Sequence, residues 1–387
     1  MILLGLVVFT NIIESMILMP LASTIKSVLA INDDQWGILI SSYLFSSFFA
    51  GVISIFLMDR FDRKKALLFV YVMFILGTTL CGISETYEML VFARIFAGFF
   101  GGVISALVLA IVADLIAVEH RGKATGIVMA GFSTAAALGV PMGLYLGLNW
   151  NWHAPFYFIV LFSLLVLIGL VVVLPSISGH VEKAKTINKW LTMKQILGNK
   201  NQRIALLFSV ILLFGQFGII PFLADYVSHN MGFAQEDLVW MYFTGGILTF
   251  ITNPIVGYLA DKFGQGKIFL IMMLLSCIPI YFVTSLQETE MYVVLIATCG
   301  FFVFAGGRNV PGTAVVMGTA APHERGAFMS IRSAMQQLMS GVSVILASFI
   351  VYQDENQLYH HFEWVGYIAI FTSLSAYVLF RKIKSNH

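Results

Sequence analysis

Long apolar runs broken by short polar knots set the rhythm of this chain. Residues 36–58 contain no Asp, Glu, Lys or Arg, and neither do residues 66–84; between them stands Asp59-Arg60-Phe61-Asp62-Arg63-Lys64-Lys65. Residues 124–181 are also free of those four types, enough for two spans joined by a turn at Asn149-Trp150-Asn151-Trp152. Apolar runs of about twenty residues without alternation read as membrane-crossing helices and not as barrel strands. The pattern predicts twelve: 2–29, 35–58, 65–83, 89–116, 122–148 and 153–175, then 204–228, 236–260, 266–286, 291–320, 323–351 and 362–382. Residues 175–203 form the one long polar stretch, with Lys183, Lys185, Lys189, Lys194, Lys200 and Arg203. Inside it, 190–197 is either a short interfacial helix or part of a solvated linker.

The pattern repeats. The knot at Asp59 returns about 200 residues later as Gly257-Tyr258-Leu259-Ala260-Asp261-Lys262-Phe263-Gly264, an offset that marks two related halves. Glu119-His120-Arg121-Gly122 and His323-Glu324-Arg325-Gly326 follow the fourth and tenth helices at nearly the same offset. The expected organisation is an all-α integral membrane protein with a six-helix bundle at 1–175, a linker at 176–203 and a second bundle at 204–387.

Composition strengthens this reading and charge gives it a direction. Of 387 residues, 59% are hydrophobic and only 11% charged, where a soluble domain would carry about a quarter charged. Of the 22 Lys and Arg, only Lys26, Arg94, Arg308 and Arg332 stand apart from one set of connections, which positive-inside bias assigns to the cytoplasm together with both termini. The opposite connections carry Asp33, Asp34, Glu85, Glu88, Glu236, Asp237, Glu288, Glu290, Asp354 and Glu355. Trp36, Trp150, Trp152, Trp240 and Trp364 lie at that same end, as an aromatic belt would. Cys81, Cys277 and Cys299 sit in apolar runs and read as packed, reduced thiols. No cleavable leader is visible at Met1-Ile2-Leu3-Leu4, and a short extension ahead of this start is left open.

Several motifs together carry a resemblance. Asp59, Arg60, Arg63 and Lys64 match a turn of the form Gly-x-x-x-Asp-Arg-x-Gly-Arg-Lys, with Ile55 and Asp62 in place of its glycines. The second copy keeps Gly257, Asp261, Lys262 and Gly264 but has Gln265 where an arginine would stand. Arg94 and Gly98 match Arg-x-x-x-Gly on helix 4; Gly139-Val140-Pro141-Met142-Gly143 approximates a glycine–proline motif on helix 5; Glu14 and Pro20 match an acid followed by proline on helix 1. In these features the chain resembles the major facilitator superfamily, and within it the twelve-helix drug–proton antiporter branch of bacterial exporters. The resemblance implies two pseudo-symmetric six-helix bundles, alternating access, and a proton gradient as the driving force with no cofactor. It also implies a small-molecule substrate and protons as partners, a bacterial inner membrane, no nucleic acid and a monomer.

Within that frame the candidate residues take roles. Glu14 lies roughly 18 Å into a nearly charge-free helix, where a bare carboxylate costs at least about 2.5 kcal/mol. The resemblance gives it Arg94 as a partner, so it either alternates between a proton and that arginine or forms a static packing pair; Asn11, one turn away, supports either. Asp59, Arg60, Arg63, Lys64, Asp114, Asp261 and Lys262 form a cytoplasmic cluster in which Arg63 can reach Asp114. It is read either as a gate that latches the halves when the protein is open outward, or as surface charge worth about 0–1 kcal/mol per pair. Gly139, Pro141 and Gly143 permit a kink and close approach, a hinge site. Arg308, Arg332 and Gln336 are candidate cavity residues favouring an anionic or polar substrate group, unless the arginines snorkel or bond carbonyls. Asp225, near the outer end of helix 7, is expected closer to water than Glu14. No Gly-x-x-x-x-Gly-Lys-Ser/Thr loop, metal-ligand spacing or nucleophile–base constellation occurs, which turns the reading away from ATP-driven or enzymatic chemistry. A carrier importing a sugar, organic acid or other nutrient remains the alternative transporter.

Overall fold

The structure, a computed structural model, describes residues 1–57, 60–116, 120–178, 189–321 and 325–384. Among the described residues, twelve helices are long and apolar enough to cross a membrane. Spans 1 to 6 are Ile2–Leu29, Asp33–Leu57, Arg63–Gly82, Tyr87–Leu115, Ala124–Asn149 and Ala154–Val173. Spans 7 to 12 are Lys200–Asn230, Asp237–Phe263, Gln265–Ser285, Met291–Met317, Arg325–Ile350 and Phe362–Phe380. Continuous helices satisfy their own backbone groups where no water can, which is why the apolar runs take this form. The predicted boundaries hold to within a few residues.

Three spans are interrupted, and each interruption has a local cause. Span 1 passes from α-helix through a tight 3-10 turn at Met19–Leu21 into a second α-helix, Ala22–Leu29. Pro20 lacks the N–H that a continuous helix would need there, so the single predicted helix is a jointed one. Span 5 widens into a π-turn at Ala135–Gly139 just before Pro141, and span 10 does the same at Phe301–Ala305. Such widenings insert a residue into the helical count and rotate everything beyond them.

The apolar core is shared at one end and divided at the other. At the end with acidic connections, one cluster joins Ile17, Leu18, Leu21, Trp36 and Ile40 of the first half to Phe222, Leu223, Tyr226, Val344 and Phe362 of the second. At the basic end, Leu67, Tyr71, Leu107 and Ile111 form a cluster of first-half residues. Phe208, Phe269, Phe328 and Phe380 form a separate one, against which, among the described residues of the first half, only Ile55 packs. Spans 2 and 11 run together between the halves, with Gly37 against Ser348, Gly341 against Phe45 and Gly51 against Ala334. Spans 5 and 8 form the matching seam, where Gly246 lies against the backbone of Ala136 and Ala137 in the π-turn.

Between the halves, Lys189–Gly198 is a helix. It does not merely lie on a bilayer: Ile196 is fully buried with Phe208 and Phe380, and the Trp190 ring lies 6.1 Å from that of Phe56 in span 2. Trp36 departs from the belt expectation as well. It is wholly buried and donates its indole N–H to the Pro221 carbonyl of span 7 at 3.1 Å, so it is a clasp between halves. Trp152 is buried too, against His153, whereas Trp150, Trp240 and Trp364 are exposed as a belt requires.

Candidate functional site

The site grows from span 4. Glycines at 98, 101 and 102 leave its face bare, and a Cβ on Gly98 would stand 2.6 Å from the Tyr43 carbonyl of span 2. That closeness brings the Tyr43 ring over the Arg94 guanidinium, 4.3 Å from ring centroid to guanidinium carbon. Arg94 donates through Nη1 to the Glu14 carboxylate at 2.7 Å and to the Glu14 carbonyl at 2.8 Å, and through Nη2 to the Ser15 carbonyl at 3.3 Å. Both side chains of the pair are completely shielded from solvent. Tyr43 donates to the Asn11 side-chain oxygen at 3.1 Å, and Asn11 donates to the Gly101 carbonyl at 3.2 Å. Cys81 of span 3 completes the ring, its thiol 4.0 Å from Glu14 Oε1. Glu14, Asn11 and Arg94 are thus gathered at one place, inside the first half. One Glu14 oxygen, Oε2, has no hydrogen-bond partner among the described residues. A carboxylate with one oxygen held and one free can accept a proton without first breaking a bond at that oxygen.

A second charged cluster lies at the acidic end and crosses between the halves. Lys26 Nζ donates to Asp33 Oδ1 at 2.6 Å, to Asp225 Oδ2 at 3.3 Å and to the Tyr359 hydroxyl. Tyr359 donates to Asp225 Oδ2 at 2.7 Å, and Ser23 donates to Asp225 Oδ1. Burial, then the carboxylates of Asp225 and Asp33, push the Tyr359 phenol far above its ordinary pKa, so it stays a proton donor. Tyr359 reaches this point from a hairpin, Tyr352–Gln353 paired with Tyr359–His360, pinned by two 2.8 Å bonds to Asn230. Asp225 is 1% exposed against 0% for Glu14, so the expected difference between them in access to water is nearly absent: the closure of the first half over span 7 shields Asp225. The signal in the sequence was Lys26, the lone cation among acidic connections.

The second half separates residues that the sequence had grouped. Arg332 Nε donates to Ser209 Oγ and Nη2 to Thr313 Oγ1, each at 3.0 Å, and Gln336 donates to the Ser209 carbonyl at 3.3 Å. These two share a face of span 11 toward span 7, as their one-turn spacing implies. Arg308 points elsewhere. It is fully buried and donates to Ser276 of span 9 at 3.1 Å and to Ser373 of span 12 at 2.6 Å.

At the basic end, Arg63 Nε donates to Asp114 Oδ2 at 2.9 Å, the contact expected from the sequence. Both belong to the first half, so in this arrangement the pair braces spans 3 and 4 and does not itself latch the halves. Asp59 lies outside the described residues. Arg60 is exposed, and Lys64 donates to the Val171 carbonyl at 2.8 Å. In the second copy Asp261 accepts from Gln265 at 2.9 Å, while Lys262 lies over the Phe263 and Tyr258 rings. Asp62 explains its own departure from the glycine pattern. It caps span 3 by accepting from the Lys65 N–H at 3.0 Å and holds the segment that follows span 6 through the Ser176 hydroxyl at 2.6 Å and the Ile177 N–H at 2.7 Å. Slight burial pulls its carboxyl up, but these donors outweigh it and hold the group below its usual value. Asp62→Ala is expected to cost about 1 kcal/mol in thermal stability at neutral pH. Because the folded pKa is depressed, the wild-type advantage is present above the unfolded value of about 3.9 and vanishes as pH falls through the folded one. Melting curves of both proteins across pH 3–7 test this.

The predicted hinge residues pack as one face. Gly139 receives Ile13 and Gly143 receives Ile17, both of span 1, while Pro141 begins the helix that follows the π-turn. Cys81, Cys277 and Cys299 are free thiols, and among the described residues no group of His, Cys, Asp or Glu is arranged to hold a metal ion.

Twelve spans in two six-helix halves, with a buried ion pair in one half and a charged seam between them, define a polytopic carrier. The sequence profile of the Major Facilitator Superfamily matches residues 4–218 and again 205–386, and the chain belongs to that family. It is 25% identical over 371 residues to the uncharacterized MFS-type transporter YceJ of Bacillus subtilis (strain 168), covering 94% of this chain and 90% of that one. It is 26% identical over 292 residues to Multidrug resistance protein 1 of the same organism, covering 74% and 73%. Among solved structures it is similar to a D-xylose-proton symporter, with a TM-score of 0.78 and 15% identity over 97% of this chain and 95% of that one, a likeness of fold. The protein is a multi-pass membrane transporter and not an enzyme.

Proposed function

We propose that this transporter is a proton-coupled exporter of a small amphipathic molecule carrying an anionic or polar group, driven by the proton gradient with no cofactor. The observation that supports it most is the Glu14–Arg94 pair, sealed from solvent at 2.7 Å with one carboxylate oxygen unpartnered. A proton on Glu14 neutralises the carboxylate and frees Arg94; its loss restores the pair. Each state favours a different packing of span 1 against span 4, and that difference is what couples proton movement to access.

The other residues serve this cycle. Arg332 and Gln336, with Asn11 on the opposite side, contribute the polar groups that a bound substrate meets. Positive-inside bias puts the basic end and both termini in the cytoplasm of a bacterial cell, across its inner membrane. The arrangement seen here is then closed to the outside by Lys26, Asp225 and Tyr359. Two bundles, one on each side of the 176–203 linker, rock about the seams of spans 2 with 11 and 5 with 8, with Gly139, Pro141 and Gly143 as the hinge face. In the opposite, outward-open state, Asp59, Arg60, Arg63, Lys64 and Asp114, with Asp261 and Lys262, close the cytoplasmic end. The carrier acts as a monomer.

The test is retention of a panel of cationic, neutral and anionic compounds in cells lacking their main efflux pumps, with Glu14→Gln beside wild type. Lower retention of some compound, restored by the mutation and by a protonophore, is the expected result. Raised accumulation of a sugar or organic acid would replace export by import, and indifference of transport to the gradient would remove proton coupling.

A further inference from the structure

Among the described residues four cations are buried, and three of them face carboxylates. Arg94 has Glu14, Arg63 has Asp114, and Lys26 has Asp33 and Asp225. Arg308 is as deeply buried as Arg94, with no exposed surface, yet its partners among the described residues are two neutral hydroxyls, on Ser276 and Ser373. Arginine keeps its charge in proteins, and an uncompensated charge in an apolar interior is among the costliest features a fold can carry.

How the guanidinium is held matters as much as its solitude. Both serines accept from a single nitrogen, Nη1. The nitrogens left without partners are Nε and Nη2. Those two N–H groups lie on one edge of the guanidinium plane and point the same way, the edge that binds a carboxylate or other anion with two parallel bonds. Serines from spans 9 and 12 therefore hold the plane through Nη1, and the two donors of the Nε–Nη2 edge stay buried without a partner. The π-turn at Phe301–Ala305 rotates span 10 just before this point, and Gly307 lets it close on Met272 of span 9. Arg308 thus meets spans 9 and 12, whereas Thr313, further along span 10, meets Arg332.

We propose that the Nε–Nη2 edge of Arg308, backed by Ser276 and Ser373, is a binding site for one small monovalent anion, a halide or a carboxylate group. The anion balances the buried charge and couples the packing of spans 9, 10 and 12 to its own presence. The inference is independent of the direction and the cargo of transport.

The experiment is a melting series on the purified full chain in nanodiscs of neutral lipid, at constant ionic strength, exchanging gluconate for chloride or for formate. A ligand that binds only the folded state raises the midpoint with the logarithm of its concentration. A rise with chloride or formate is expected, together with saturable binding of about one labelled chloride per chain, as one two-donor edge allows. Arg308→Lys keeps the charge but lacks the edge, and should weaken that binding at least about tenfold, as losing a bidentate charged contact implies. Should this variant fail to fold, Ser276→Ala, which frees one restraint on the guanidinium, should still show a weakened chloride response. A response to formate and not chloride would assign the site to carboxylates, including one borne by a transported molecule. Midpoints that ignore both anions in the wild type, with no saturable chloride binding, would overturn the proposal and leave the edge to water.

Discussion

Lys26→Ala is expected to open the acidic end of the transporter. Lys26 is the one cation in a cluster that joins spans 1 and 2 to span 7 and the hairpin carrying Tyr359. Removing it leaves the buried Asp225 beside the part-buried Asp33 without a counter-charge, and stripping one partner from a buried pair costs about 3–5 kcal/mol. That cost falls on the closed arrangement alone, because separating the halves returns the carboxylates to water. A difference of that size moves a two-state equilibrium by about a hundredfold or more. The reading comes from a cysteine at Ser348, buried against Gly37 on the seam of spans 2 and 11, in a chain whose own three thiols are replaced. Labelling from outside by an impermeant maleimide should rise steeply in Lys26→Ala. Tyr359→Phe, which deletes no charge but ends the hydroxyl's bonds to Lys26 and Asp225, should raise it less, as a loss of roughly 1.5–3 kcal/mol implies. Unchanged labelling in Lys26→Ala would mean that apolar packing around Trp36 holds the seam and the charges merely accompany it.

What the sequence disclosed and what it hid divide along a physical line. Glu14, Arg94 and the repeat of Asp59 at Asp261 stood out because a charge in an apolar run is costly and therefore conspicuous wherever it occurs. The Arg63–Asp114 contact was legible for another reason: consecutive spans 3 and 4 bring the start of one and the end of the other to the same side of the membrane. The acidic-end cluster was not. Lys26 and Asp225 sit near helix termini, where charges are cheap, and their meeting depends on how two halves of the chain close, which no local pattern encodes. Trp36 was hidden likewise: a tryptophan at a helix end fits an interfacial belt until a partner half covers it. Arg308 failed differently. Its depth could be read, but its direction could not, because the π-turn at Phe301–Ala305 shifts the helical phase that side-chain arguments rely on.

The pair at the centre of the first half separates packing from coupling most sharply. Arg94→Met leaves the Glu14 carboxylate buried beside Tyr43 and Cys81, and is expected to lower stability by about 3–5 kcal/mol. Glu14→Gln keeps an acceptor for Arg94 but strands the guanidinium charge among carbonyls of residues 14 and 15, so it should also destabilise, by less. The double variant Glu14→Gln/Arg94→Met removes both charges at nearly constant volume. Since replacing a whole buried pair is often neutral, it should recover most of the stability lost in Arg94→Met, giving a coupling energy of a few kcal/mol in a double-mutant cycle with the two single variants. Transport must behave otherwise if the pair exchanges protons. The stable double variant should still bind substrate, yet fail to move it against a gradient in vesicles with an imposed pH difference. Folding that recovers while driven transport stays absent identifies the pair as the coupling site. Driven transport that returns together with stability would reduce Glu14 and Arg94 to a brace between spans 1 and 4, and the proton would have to be carried elsewhere.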